Sequence, residues 1–585
     1  MKELQHLNKY FIKYKFQFLL GILITILSNI FSLFTPQYTG AIITAVENYT
    51  GGKIGMDGVK HEILQSVLII IGATLVAGIL TFFMRQTIIV MSRHIEFDLK
   101  NEIFEHYEKL SQSFYKKNRT GDLMNRISED VNKVRSYVGP AIMYSLNTII
   151  RFIIIITHMS ILSPELTLYT LIPLPILSYS IFKISVEINK RSTRYQENLS
   201  KLASFTQEMF SGIRVIKAYA LEKQKQDDFT KLSRDSMAKN MSLAKVSAMF
   251  GPFMILLIGL SNLIVIYVGG KLYIEGTIEN IGMIVEFILY INMLTWPVAS
   301  LGWISSMVQE AEASQKRINE FLKTEPEIQN NNPEKSVIEG NIAFNNVTFT
   351  YEDTNITALK NVSFNINKGE TLAILGKTGS GKSTILSLIS RLYDVEQGII
   401  TIDNTNIKEL NLYDLRNSIG FVPQDAFLFS DTIKNNIKFG DEDATDEEVI
   451  AVAKKAVVHD NIATFNKAYE TILGERGITL SGGQKQRVSI ARAMIKDAPV
   501  LLLDDSLSAV DTETEEAILN NLMEFCRDKT TIIVSHRVSS AKNADRIIIL
   551  EDGEIIQQGT HNQLVNQAGY YKELYLKQLS EKEIN

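Results

Sequence analysis

Two short stretches carry residue types suited to handling phosphate. Residues 371–384, TLAILGKTGSGKST, run from an apolar strand into GxxxxGKS, Gly376 through Ser383, and on into a helical pattern, TILSLISRLY. Glycines let a backbone curl until its N–H groups face phosphate oxygens, a lysine adds charge for the outer phosphates, and a hydroxyl at the helix start offers an oxygen to magnesium. Lys382 and Ser383 hold those last two places. Further on, VLLLDD closes an apolar strand with two acids. Asp504 falls where a phosphate-loop domain keeps its metal ligand, so Asp505 must do something else.

Weaker signals surround these. Gln424, in GFVPQDAFLF, sits on a loop after a strand and is a candidate for magnesium or for the attacking water, with plain solvation as the alternative. His536 ends the strand TTIIVSH, as a catalytic histidine or a simple turn residue. In ITLSGGQKQRVSIARAMI, Ser481, Gly482, Gly483 and Gln484 open a helix whose N-terminal N–H groups make an anion site. The phosphate loop already has its own lysine, so this second anion site calls for another nucleotide.

The elements that must position these groups divide sharply. At 585 residues the chain exceeds one core. Uncharged apolar runs fill it to about residue 310, and short ones separated by turns follow residue 338. Six membrane spans are expected, near 16–36, 63–90, 137–160, 164–187, 246–270 and 281–307, each offering roughly 20 apolar residues for a ~30 Å hydrocarbon layer. The first apolar run is too long for a signal-peptide core. Spans three and four are joined by a few residues around SPEL, whereas spans two to three and four to five are joined by long charged segments that read as helices continuing beyond the bilayer. Those segments hold most of the Lys and Arg of the first half, which places them and the N-terminus in the cytoplasm. KTEPEIQNNNPEKSV reads as a linker. The expected division is 1–315 membrane, 316–337 linker and 338–585 soluble: a six-helix all-α membrane domain followed by an α/β phosphate-loop domain.

Charge follows the same boundary. Residues 1–336 hold 35 Lys+Arg against 29 Asp+Glu and the remainder 25 against 36, giving +6 and −11. An acidic second half argues against a nucleic-acid partner. The single cysteine, Cys526, excludes an intramolecular disulfide and a multi-cysteine metal site.

Taken together, GKTGSGKST, LSGGQ, VLLLD, the SAVD turn from Ser508 to Asp511 and the strand-end His536 resemble, in that order, the ATP-binding cassette family, specifically its exporter-type half-transporters. The resemblance covers nearly the whole chain. It implies that ATP and Mg2+ are bound by Gly376, Lys377, Thr378, Gly379, Ser380, Gly381, Lys382, Ser383 and Thr384, with Tyr351 of FTYED stacking on adenine. Ser383, Gln424 and Asp504 would serve the metal, and Asp505, His536 and Gln424 the chemistry. FYKKNRTGDLMNRISEDV and EMFSGIRVIKAYALE look like the intracellular loops bearing the family's coupling helices. The family pairs cassettes head to tail, each ATP lying between one chain's phosphate loop and the other chain's LSGGQ, which makes a second half-transporter subunit obligatory.

One departure matters. Most active cassettes place Glu after the metal Asp, and here that position is Asp505. Aspartate retracts the carboxylate by roughly 1 to 1.5 Å, and a ~1 Å misplacement can cost ~10²-fold in rate. A degenerate acid beside an intact LSGGQ resembles one subunit of the bacterial heterodimeric multidrug exporters; a homodimer with two slow sites is the alternative. The implied activity is ATP-driven export of amphipathic small molecules across a bacterial plasma membrane. Export of a defined lipid or peptide, or a largely non-hydrolytic regulatory half, are the other readings. Inside the spans Asn147, Arg151, His158, Glu286 and Asn292 are candidate cavity residues, and Glu286 is a candidate for cationic substrates. Phe287, Tyr290, Met293, Trp296 and Trp303 line an apolar cavity or pack helices, and Pro173, Pro175 and Pro297 are candidate kinks.

Overall fold

The apolar runs of the first half form helices whose long side chains point outward and whose polar ones point in. In the computed structural model, which describes residues 2–584 apart from 475–479 and 508–511, Leu75, Ile153 and Ile255 are each more than 60% exposed while Thr25 and Asn29 are buried. That inversion is what lipid demands: apolar groups meet hydrocarbon, and polar groups find partners inside the protein. Asn29 Nδ2 donates to Asn147 Oδ1 at 2.9 Å, and Arg151 Nε donates to Asn29 Oδ1 at 2.9 Å.

Among the described residues five helices are long and apolar enough to cross a membrane: Lys15–Thr50, Met56–Lys109, Thr120–Leu162, Glu222–Ile274 and Gly282–Leu322. The expected span at 164–187 is not one continuous helix. Ser163 caps Pro164–Leu171, its hydroxyl accepting from Leu166 N, and a separate helix begins at Pro173 and runs to Ser211. Proline lacks the N–H that would continue the preceding helix, so the apolar run is shared between two elements. The long charged segments are helical: Met56–Lys109 has 54 residues, about 80 Å at 1.5 Å per residue, far more than a bilayer needs. Helices meet closely where side chains are absent; a Cβ on Gly282 would stand 2.1 Å from the carbonyl oxygen of Gly40.

The chain divides into two compact units, Met1–Tyr107 with Gly121–Thr324, and Glu108–Thr120 with Glu325–Asn585. The last long helix continues to Leu322, so a boundary at 315 falls inside it. Within the second unit, β1 (Ile342–Tyr351), β2 (Ile356–Ile366), β4 (Gln397–Ile402) and β5 (Thr405–Asn406) form an antiparallel sheet in the order β2-β1-β4-β5. A second sheet holds β3 (Thr371–Gly376), β6 (Ile419–Val422), β7 (Val500–Asp504), β8 (Thr530–Ser535), β9 (Arg546–Glu551) and β10 (Glu554–Gly559), ordered β10-β9-β3-β8-β7-β6. β3, β7 and β8 are buried at every residue, as central parallel strands covered on both faces must be. Their register pairs Leu375 with Ser535 and Asp504 with Val534, so three strands end side by side. Open α/β sheets place their ligands at such strand ends.

Candidate functional site

The phosphate-loop residues form a tight turn between β3 and the helix Lys382–Ile389. Gly379 and Gly381 have φ of 84° and 99°, a region that favours glycine. A Cβ at Gly381 would also lie 2.2 Å from the carbonyl oxygen of Ala358. Gly381→Ala is therefore expected to destabilise the second unit by about 2–4 kcal/mol, read as a lower midpoint of its thermal unfolding.

Lys382 is buried, and its ammonium donates back to the carbonyls of Gly376 (2.9 Å) and Lys377 (2.8 Å). Burial pushes its pKa down to about 8, against the pull of Asp505 and Asp504. Ser380 carries a buried hydroxyl with no hydrogen-bond partner among the described residues, an orphaned group of the kind an anion in the loop would satisfy. Ser383 Oγ donates to Asp504 Oδ1 at 2.8 Å, bringing together a hydroxyl and a carboxylate of the type that suits magnesium. Burial raises the pKa of Asp504. Lys377 and Thr378 are both exposed, and Lys377 Nζ pairs with Glu551 at 2.6 Å.

Asp505 begins where β7 ends, its N–H donating to Val534 O at 2.9 Å and its backbone turned to φ 42°. It acts electrostatically on Lys382, Asp504 and His536, which sets all four around one centre. Burial, and then Lys382, lower the pKa of His536, favouring the neutral imidazole. Gln424 stands exposed in the loop past β6 and makes no hydrogen bond among the described residues. Ser481 caps the helix Gly482–Ile495 in a reciprocal box, its hydroxyl accepting from Gln484 N and Gln484 Oε1 accepting from Ser481 N. The SAVD turn lies outside the described residues.

Two supports escaped the sequence reading. Glu515, buried, accepts from Ser539 Oγ (2.8 Å), Ser540 Oγ (2.9 Å) and Arg537, while Gln578 donates to His536 O (3.1 Å) and accepts from Val538 N (2.8 Å). Together they hold the loop that carries His536. The other support involves Tyr351, whose hydroxyl lies 3.0 Å from Thr384 Oγ1 and whose ring meets Tyr393 edge-on at 5.4 Å. Lys116, from the short helix Gln112–Lys117, places its ammonium 4.5 Å from the Tyr351 ring centroid and 5.1 Å from that of Tyr393. These three residues line one side of a cavity of about 160 Å3. A basic segment was legible as an intracellular loop, but nothing in its spacing announced which ring it would meet.

A phosphate loop and a strand-end acid, set in one sheet and joined in one chain to membrane-crossing helices, define a membrane protein powered by nucleotide hydrolysis. Residues 18–298 match the ABC transporter transmembrane region, and residues 359–508 match the ABC transporter family's nucleotide-binding part. The chain is 34% identical to the multidrug resistance-like ATP-binding protein MdlA of Escherichia coli (strain K12), over 98% of this chain and 96% of that one. It is also 34% identical to the ATP-dependent lipid A-core flippase of Syntrophus aciditrophicus (strain SB), over 88% and 86%. A solved structure of a bacterial Atm1-family ABC exporter with ATP bound superposes with a TM-score of 0.81 at 26% identity, covering 96% of this chain and 98% of that one. The chain belongs to the ATP-binding cassette transporters, as an exporter that fuses a membrane-spanning domain to an ATP-hydrolysing one.

Proposed function

We propose that the chain exports amphipathic small molecules as one half of a heterodimer in a bacterial plasma membrane, with the N-terminus and the ATP-binding unit cytoplasmic. The relative named for multidrug resistance supports the export class. The observation that carries the pairing is Asp505, a short acid beside Lys382 and His536 in a chain whose Ser481 to Gln484 helix start is intact. ATP with Mg2+ supplies the reaction's energy when bound. This chain's loop would hold the phosphates through its backbone N–H groups and Lys382, Ser383 and Asp504 would hold the metal, and Tyr351 would stack on the base. Asp505 would orient water from too short a reach. Gln424, exposed on its loop, would approach the metal or the water only with nucleotide in place. Ser481, Gly482, Gly483 and Gln484 would complete the partner's site.

Affinity purification of this chain from its own membranes is expected to bring with it a second fused half-transporter carrying Glu after its metal Asp. Recovery of a homodimer alone overturns the pairing. Tyr351→Ala is expected to raise the dissociation constant for a fluorescent ATP analogue about 5- to 150-fold, the worth of ~1–3 kcal/mol of base stacking, while Tyr351→Phe keeps it within a few-fold. The flippase relative favours a second reading, export of a defined lipid, which a lipid-translocation assay in proteoliposomes separates from dye export.

A further inference from the structure

The segment Glu108–Thr120 belongs by sequence to the membrane half, where it separates two of the long helices, yet it packs as part of the ATP-binding unit. Its polar side chains fasten it there. Ser111 Oγ donates to Glu327 Oε2 at 3.0 Å, Ser113 donates to the same carboxylate, and Lys117 Nζ donates to Glu352 Oε2 at 3.1 Å. Lys116 stands among these tethers and behaves differently. Five acids line the cavity it shares with Tyr351, yet among the described residues Lys116 forms no ion pair. Its ammonium is met instead by the two rings already described, those of Tyr351 and Tyr393.

Three other contacts surround the Tyr351 ring. Its hydroxyl meets Thr384 Oγ1 of the helix Lys382–Ile389 at 3.0 Å, and the rings of Phe349 and Tyr393 stand nearly perpendicular to it, at 84° and 89°. None of residues 376–384 lines the cavity on the Lys116 side. The lysine therefore covers the face of Tyr351 turned away from the phosphate loop and leaves the other face for a base. An ammonium over a ring draws the ring's π density toward itself. A ring polarised in this way repels the π face of a base less, and its tilt is set before the base arrives.

We propose that Lys116 is a positioning residue for nucleotide binding: it backs the ring of Tyr351, so that a segment of the membrane half helps to set the affinity for the base. The proposal rests on the reading that Tyr351 stacks on the base. Because the lysine acts through the ring and not on the base, it strengthens binding of adenine and guanine nucleotides alike.

The full chain in lipid nanodiscs is tested for binding of ATP, GTP and tripolyphosphate, which has no base. Binding is read by displacement of a fluorescent ATP analogue, whose own dissociation constant is measured for each variant, without Mg2+ so that no hydrolysis intervenes. Lys116→Met keeps the length and loses the charge. It is expected to raise the dissociation constants of ATP and GTP about two- to fivefold, the worth of an exposed cation–π contact. Tripolyphosphate should bind as before, which also shows that the variant is folded. Lys116→Arg keeps a cation over the ring and should stay within about 1.5-fold of wild type. Added to Tyr351→Leu, Lys116→Met should cost nothing further, since no ring is left to act through.

Tighter ATP binding by Lys116→Met overturns the proposal by making the lysine a plug over the place of the base. Unequal losses for ATP and GTP overturn it by making Lys116 a direct contact to the base, and an equal loss for tripolyphosphate by making it a general charge. Unchanged binding of all three leaves it a structural contact and overturns the proposal as well. If Tyr351→Leu weakens ATP binding and Lys116→Met does not, this inference fails and the stacking reading stands. If Tyr351→Leu leaves ATP binding unchanged, the stacking reading fails and takes this inference with it.

Discussion

Asp505→Glu is expected to raise ATP hydrolysis by the chain alone about a hundredfold. Of the two acids at the end of β7, Asp504 is engaged with Ser383, and on the proposed reading Asp505 is the one left to orient water. Its carboxylate acts on both Lys382 and His536, so it faces the right centre, but its side chain is one methylene shorter than the usual glutamate. The missing ~1 Å is worth about two orders of magnitude, because a reacting atom held outside near-attack distance loses most of its oriented encounters. The backbone at Asp505 is left-handed, which aspartate accepts more readily than glutamate, so the gain in rate should come with a small loss of stability. Phosphate release in lipid at equal purity, with Asp505→Asn as the silent control, checks the expectation. A wild-type chain already turning over at full transporter rate would make Asp505 an adequate base, and the homodimer reading would take over.

Gly483→Asp should lower ATP hydrolysis by the assembled transporter at least about a hundredfold, the scale of losing a preorganised anion-stabilising donor. Gly483 lies in the first turn of Gly482–Ile495, a helix start whose N–H groups suit an anion. A carboxylate there is compatible with the helix, since acids stabilise N-termini, so folding is preserved while the place of the phosphate is taken by like charge. Gly483→Asn, of the same size and neutral, should lose far less. The paired measurement is Lys382→Ala in the same transporter. In a heterodimer whose fast site is the partner's loop joined to this helix start, Lys382→Ala costs only a few-fold. In a homodimer both substitutions silence it equally, and that result would refute the pairing.

Glu515, Gln578, Lys116 and Glu286 mark where reading by pattern stops. Glu515 reaches Ser539 and Ser540 across 24 and 25 residues, and Gln578 reaches His536 across 42. No periodicity encodes such meetings; they depend on how helices rotate and dock over β8. Glu286 was open to a cationic substrate or to neutralisation by Arg85 or Arg151, and only packing joined it to Tyr290 and His158. The fourth span was legible as apolar but not as two helices, because the break between Leu171 and Pro173 competes with a hydrophobic pattern that runs straight through it.

By itself the sequence determined the turn of the phosphate loop, the two acids at the strand end, the capped start of the helix Gly482–Ile495 and the long apolar runs of the first half. Each of these is written in contiguous residues whose local geometry is set by their own sterics: glycines at left-handed φ, a serine at a helix start, apolar runs long enough for lipid. Tertiary structure alone decided that Lys116 lies against Tyr351, that a glutamate and a glutamine hold the histidine loop, and that the chain's two tryptophans face a shared cavity. Those outcomes require strands to settle into register and helices into one rotation, and the energies that select them are spread over the whole core rather than carried by any short stretch.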